Sequence, residues 1–183
     1  VAARIIGLVG PKRGGKDTVA QILMAHDTNF VRGAFADRLK EMAYELNPYV
    51  LIGTRAILLQ DAVADCGDEA KDWPDVRRIY QNFGMVLRAE PDYWIRWLDQ
   101  HVYRTLPRHQ CLVITDVRMS NEIEYVRSLG GQLWRIDRPA VEDGDQHPSE
   151  REWRTAIPDT VIANTGDLGD LTRAVLAIVA STP

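Results

Sequence analysis

The chain has little cysteine, no surplus of positive charge, no long apolar run and no repeated or low-complexity tract. Two cysteines in 183 residues, Cys66 and Cys111, are too few and too far apart for a disulfide framework or a zinc site. Cys111 opens an apolar run, where a buried thiol is the plain expectation. With 22 basic against 26 acidic residues the net charge is −4. That balance argues against a surface built to wrap a polyanion, so no stable nucleic-acid complex is expected, while a local cluster for small phosphorylated ligands stays open. No apolar run approaches the roughly 20 residues of a membrane helix. The stretch VAARIIGLVG leads into a glycine loop without a cleavage pattern. The expectation is a soluble, unexported protein of the reducing cytoplasm, with no membrane partner.

What is present is enough apolar material for a real core, 45% of residues, in a length that suits one domain over 1–183. RIIGLVG (4–10) is a β-branched run ended by glycine, and DTVAQILMAH after it has helical spacing through Val19, Ile22 and Leu23. FVRGAF (30–35) predicts a weak strand, and ADRLKEMAYEL places Leu39, Met42, Ala43 and Leu46 on one helical face. From Asn47 to about Glu90 the patterns predict helices and no strand, with Pro74 suited to a helix start. Residues 91–106 predict one amphipathic helix; CLVIT (111–115), QLWRI (132–136) and TVIAN (160–164) predict strands separated by helical segments. Strands alternating with helices imply an α/β fold with a central parallel sheet of about five strands and helices on both faces.

GPKRGGKDT (10–18) has the spacing GxxxxGK between a strand and a helix, the context a phosphate-binding loop needs. Gly10, Gly14 and Gly15 let backbone N–H groups turn toward phosphate oxygens, the helix offers its positive end, and Lys16 can bridge terminal phosphates. A glycine-rich turn without a ligand is the bland alternative. After the lysine, where a Ser or Thr hydroxyl usually reaches magnesium, stands Asp17. A carboxylate there can hold Mg2+ directly or through water, but it sets negative charge beside phosphates unless the metal or Lys12 and Arg13 compensate. Thr18 is the alternative hydroxyl for the inner phosphates.

The loop, followed in order by FADRLKE (35–41), VRRIYQNFG (76–84), YW (93–94), TDVRMSNEIE (115–124), RP (138–139), DQHPSE (145–150) and IANTGDLGDL (162–171), resembles the phage-type deoxynucleoside monophosphate kinases, a P-loop nucleotide kinase family. The resemblance implies a P-loop NTPase fold with a helical acceptor-binding insertion over 47–106 and a lid over 138–154. It implies transfer of the γ-phosphate of ATP to a deoxynucleoside monophosphate (dNMP), with ATP and Mg2+ as cofactors and the host cytoplasm as location for a phage-encoded enzyme. The oligomeric state stays open, a homodimer included.

Roles follow residue by residue. Lys16, Arg118 and Arg138 are the catalytic candidates. Gly10, Lys12, Arg13, Gly14, Gly15, Lys16, Asp17, Thr18 and Asn164 are candidates for ATP, Asn164 near the adenine or as a plain turn former. Asp37, Lys40, Arg77, Arg78, Gln81, Trp94, Asp116 and Glu122 are candidates for the acceptor, with Arg77 first at its phosphate because a planar guanidinium fork suits that group. Asp17 and Asp116 are the metal candidates. Asp116 ends a strand where parallel sheets bind ligands, although an ion pair with Arg118 also explains it. Asp37 and Lys40 read equally as a helix cap and a solvated lysine; a tryptophan at helical spacing is more often core, while the resemblance implies that Trp94 stacks on the acceptor base. Arg151 and Arg154 join Arg138 in the lid, with His147 and Glu150 as its latch. Three rivals share the loop: a dephospho-coenzyme A or phosphomevalonate kinase, a kinase for a modified base in DNA, and a non-catalytic ATP-binding switch.

Overall fold

Residues 4–87, 89–90, 92–139 and 152–181 are described here from a computed structural model. Their contacts divide into two units, one from residues 1–34 with 97–183 and one from residues 35–96.

The first unit is built on a parallel sheet. Its strands are β1 (Arg4–Val9), β2 (Phe30–Gly33), β5 (Cys111–Ile114), β6 (Gln132–Asp137) and β7 (Thr160–Ala163), in the spatial order β2-β5-β1-β6-β7. These are the five strands expected from the apolar runs, and all four pairings are parallel. Every residue of β5 is buried, as a strand covered on both faces requires. On one face Ile6, Leu8 and Val113 pack with Val19, Ala20 and Leu23 of helix α1 (Lys16–His26) and with Leu171 and Val175 of helix α7 (Leu168–Ser181). On the other face Gly7 makes room for Val117 and for Val126 of helix α6 (Ser120–Ser128). The chain leaves β1 for strands on one side and returns to build β6 and β7 on the other, so β1 sits where the strand order reverses. In open parallel sheets the crevice outside the carboxyl end of that strand is where ligands bind.

The second unit holds helix α2 (Ala36–Leu46), a hairpin of β3 (Tyr49–Ile52) and β4 (Arg55–Leu58), helix α3 (Leu59–Cys66) and helix α4 (Pro74–Leu87). The hairpin corrects the reading that 47–90 contains no strand. Its four-residue strands are too short for periodicity to separate from helix, and its turn is set by Gly53, whose φ of 62° suits the primed turns that join twisted strands. Ala43, Val50, Leu59, Ala62 and Val76 form this unit's core. Asn47 ends α2 in a left-handed conformation, φ 48° and ψ 55°, and its Oδ1 accepts the Gln60 N–H at 2.9 Å near the start of α3. One asparagine thus closes one helix and opens the next. Helix α5 (Tyr93–His101) spans the division between the units and stops earlier than the predicted 91–106, the chain tightening into a 3-10 turn at Tyr103–Thr105. Pro74 opens α4 as expected, where its missing N–H costs nothing.

Candidate active site

The loop between β1 and α1 is held through its carbonyl oxygens. Lys16, 8% exposed, donates its ammonium to Gly10 O at 2.8 Å and Pro11 O at 2.7 Å. Gly14 N–H closes a turn onto Pro11 O at 3.0 Å. The guanidinium of Arg138, just beyond β6, donates to Arg13 O at 3.2 Å, and the amide Nδ2 of Asn164, just beyond β7, donates to Gly14 O at 2.9 Å. Four carbonyls of a six-residue loop therefore point at side chains brought from α1, β6 and β7. Of the peptides held in this way Pro11 has no N–H and the Gly14 N–H is spent on Pro11 O, while the Gly15 N–H, trans to the tied Gly14 carbonyl, faces the other way, as an anion site requires.

Backbone conformation permits this path only with the residues present. Gly15 caps α1 at φ 103°, and a Cβ there would lie 2.6 Å from Asn164 Nδ2. Gly10 has φ 145°, and a Cβ there would meet Ile136 O at 2.6 Å. The first N–H groups of α1, as in any helix, have no partner within the helix, and they carry the positive end of its dipole.

Asp17 lies in the first turn of α1 with its side chain 69% exposed, and its Oδ1 is 3.6 Å from Arg32 Nε on β2. Arg32 was missed in the sequence. Its signal was a charged residue between apolar neighbours in FVRGAF, which read as the weakness of a strand instead of the partner of a carboxylate. To the compensation expected from the metal or from Lys12 and Arg13, Arg32 adds a guanidinium from a strand two positions away from β1 in the sheet.

The loop after β5 carries Asp116 and Arg118, both half-buried. It is fixed by Glu122, 2% exposed, whose Oε2 accepts the N–H groups of Arg118 at 2.8 Å and Met119 at 3.0 Å. The carboxylate offered as an acceptor contact is thus turned inward on its own loop. Glu152 adds a second clamp: its Oε2 accepts both the N–H and the Oγ–H of Ser120, at 2.9 and 3.0 Å, and ties residues 152–155 to the start of α6. Sequence reading passed over Glu152, since nothing local marks a carboxylate that reaches 32 residues back. Arg154 stacks over Trp153 at 5.5 Å. His147, Glu150 and Arg151 lie outside the described residues, as does most of the expected lid.

The remaining candidates belong to the second unit. Asp37, half-buried, sits inside the first turn of α2, where a carboxylate complements the helix dipole without being the cap, which is Phe35. Lys40 is exposed on the same helix. Arg77, Arg78 and Gln81 share α4. Arg77 is half-buried; Arg78 is exposed and pairs with Asp75, whose carboxylate also accepts the Leu51 N–H at 2.7 Å. That backbone hydrogen bond, with Arg78 adding to it, holds the Asp75 carboxyl below the usual range. Trp94 is 3% exposed and meets Tyr93 edge-on at 4.9 Å, the packing of a core aromatic.

Among the described residues no cluster of three or more His, Cys, Asp or Glu side chains could hold a metal alone. One or two carboxylates beside a phosphate loop are what Mg2+ uses when phosphates supply the other oxygens, so Asp17 and Asp116 fit it by type. No described helix is long and apolar enough to cross a membrane.

Comparison with known proteins bears on the same regions. The protein TT1252 from Thermus thermophilus matches over 100% of both chains with a TM-score of 0.52 at 19% identity, which speaks to the fold alone. An Acanthamoeba polyphaga mimivirus protein, provisionally named deoxynucleotide monophosphate kinase, is 32% identical over 96% of this chain and 95% of its own. The Ictalurid herpesvirus 1 (strain Auburn) protein ORF76 is 29% identical over 51% of this chain and 42% of its own. The family model for deoxynucleotide monophosphate kinase matches residues 53–175. That match begins beyond the phosphate loop, so it rests on the later blocks and is independent of a motif common to very many nucleotide-binding proteins. The braced loop at the reversal of the sheet and the match through α4, β5 and β7 therefore agree: the chain belongs to the deoxynucleotide monophosphate kinase family of phosphotransferases.

Proposed function

We propose that the protein transfers the γ-phosphoryl group of ATP to a free deoxynucleoside monophosphate, giving ADP and a dNDP. The observation that carries this reading is the phosphate loop with its carbonyls tied back and Lys16 seated in it, in a chain of this family. Phosphoryl transfer asks a protein mainly for positioning and for compensation of charge, and this inventory supplies both without a covalent intermediate.

In this proposal the loop amides and Lys16 hold the donor's phosphates. Arg77 takes the acceptor's phosphate. Arg118, on a loop fixed by Glu122, faces the charge that develops during transfer. Arg138 is engaged with Arg13 O, and it joins the transferring group only by exchanging that contact. Mg2+, bound with the nucleotide, would neutralise charge on the phosphate oxygens, with Asp17 and Asp116 as the residues that hold it. The acceptor phosphate is already ionised and needs no proton removed before attack, so His147 is given no general-base role. Location in a host cytoplasm fits a nucleotide substrate and belongs to the same proposal.

The test is ADP release with each dNMP, each NMP, dephospho-coenzyme A, phosphomevalonate and single-stranded DNA as acceptor. Turnover on one or more dNMPs that falls sharply in Arg77→Ala supports both the substrate class and the residue at its phosphate. Turnover confined to a non-nucleotide or to DNA rejects the reading.

A further inference from the structure

Asn164, expected near the adenine of ATP or as a turn former, lies against the phosphate loop. It is 8% exposed, its own N–H is fixed to Asp137 O at 2.8 Å, and its side chain spends an amide N–H on Gly14 O at 2.9 Å. The same Nδ2 lies against Gly15, where even one methyl group would approach it to 2.6 Å. The asparagine at the end of β7 and the glycine that caps α1 are thus shaped to each other across 149 positions of sequence.

The chemistry follows from the planarity of the peptide unit. Gly14 C=O and Gly15 N–H belong to one trans peptide, so they point in opposite directions and turn together. Holding the carbonyl on Asn164 holds the Gly15 N–H facing away from Asn164. An Asn side chain does this without adding charge; an Asp at the same place would present an oxygen to an oxygen.

We propose that Asn164 is a positioning residue for the phosphate loop, fixing the Gly14–Gly15 peptide so that its N–H meets the polyphosphate chain of the donor, and that it makes no contact with the base. This deepens the phosphotransferase reading and rests on it for the identity of the donor. The residue acts through the loop, so its effect belongs to the donor's phosphates whatever base they carry.

The experiment is calorimetric titration of the wild type, Asn164→Ala and Asn164→Asp with ATP and with inorganic tripolyphosphate at fixed magnesium. Circular dichroism checks each fold, and Asn164→Asp carries the comparison if Asn164→Ala does not fold. The expected result is a loss of about tenfold for both ligands by the same factor in Asn164→Ala, the scale of one hydrogen bond to a buried partner, and at least as much in Asn164→Asp. In steady-state kinetics KM for ATP rises while KM for the acceptor at saturating ATP stays at the wild-type value. Loss of ATP affinity with tripolyphosphate unaffected overturns the proposal in favour of a base contact. Unchanged affinity for both ligands, or an equal rise in acceptor KM, also overturns it. A wild type that binds both ligands yet phosphorylates no nucleotide rejects the proposed function and leaves the loop assignment standing; a wild type that binds neither ends both.

Discussion

Arg32 on β2 and Asp17 at the start of α1 face each other with Nε and Oδ1 3.6 Å apart. Arg32 shares a row with Val113 and Ile6 across three strands, on the sheet face covered by α1, so the strand register delivers the guanidinium to the helix. Asp17 is largely exposed and the pair is open to solvent, which keeps its own contribution to stability small. In the proposed reaction its importance is electrostatic bias at a place where a dication and a triphosphate would meet.

The first prediction is therefore a pair of opposite shifts in magnesium dependence. Asp17→Asn keeps the shape and removes the charge, so the magnesium concentration for half-maximal turnover rises several-fold. Arg32→Gln leaves Asp17 uncompensated, so that concentration falls. A magnesium titration of turnover at fixed ATP checks both, and unchanged midpoints would leave the pair a surface contact only.

Lys16 is the second. Lys16→Met preserves the buried aliphatic stem and removes the ammonium that touches Gly10 O and Pro11 O. Turnover measured by ADP release should fall about 10²- to 10³-fold, the scale of one preorganised electrostatic contact. Thermal unfolding near the wild type with turnover intact would remove Lys16 from the mechanism.

Glu122 carries the third. Its buried carboxylate accepts two backbone N–H groups, and Glu122→Ala leaves both facing a cavity. The expected cost is about 2–4 kcal/mol in urea unfolding, from two charge-assisted hydrogen bonds and the space left behind. A loss under half of the lower figure would mean that water or a neighbour replaces the carboxylate.

The fourth concerns alkaline pH. Burial pushes the Cys111 thiol up from 9.0 to about 11, and burial also raises the Tyr125 hydroxyl. The folded state then keeps protons that the unfolded chain releases, so these groups favour folding fully below pH 9 and that advantage drains away as pH climbs from 9 toward 11. Thiol labelling at pH 8 should modify the half-buried Cys66 before Cys111, and Cys111 only on unfolding.

The five strands of the sheet were legible because a strand covered on both faces needs a continuous apolar run bounded by polar residues, and RIIGLVG and CLVIT have that form. The phosphate loop was legible because its glycines and lysine must stand at fixed spacing. The β3–β4 hairpin was not, since YVLI and RAIL are four residues each and either could be one turn of a helix; Gly53 followed by Thr54 was the available sign of a turn. The bracing contacts were least legible. Asn164 to Gly14, Arg138 to Arg13 and Ser120 to Glu152 join positions separated by 150, 125 and 32 residues, and a sequence shows such partners only after the sheet order is known.

The central place of β1 bears on how the protein comes into being. Both neighbours of β1 lie far along the chain, β5 pairing through Cys111–Ile114 and β6 through Gln132–Arg135. Parallel pairings of such sequence separation form late, because a large loop must close before any of them is rewarded. During synthesis the strand and its glycine loop are made well before their sheet partners, and wait for more than a hundred further residues before either edge of β1 is paired. The braces from Arg138 and Asn164 arrive later still. A nascent chain stopped before residue 111 has its phosphate-loop motif complete in sequence and no architecture to hold it, so capacity for nucleotide should appear only once residues 111–164 have followed, well after the loop itself has been made.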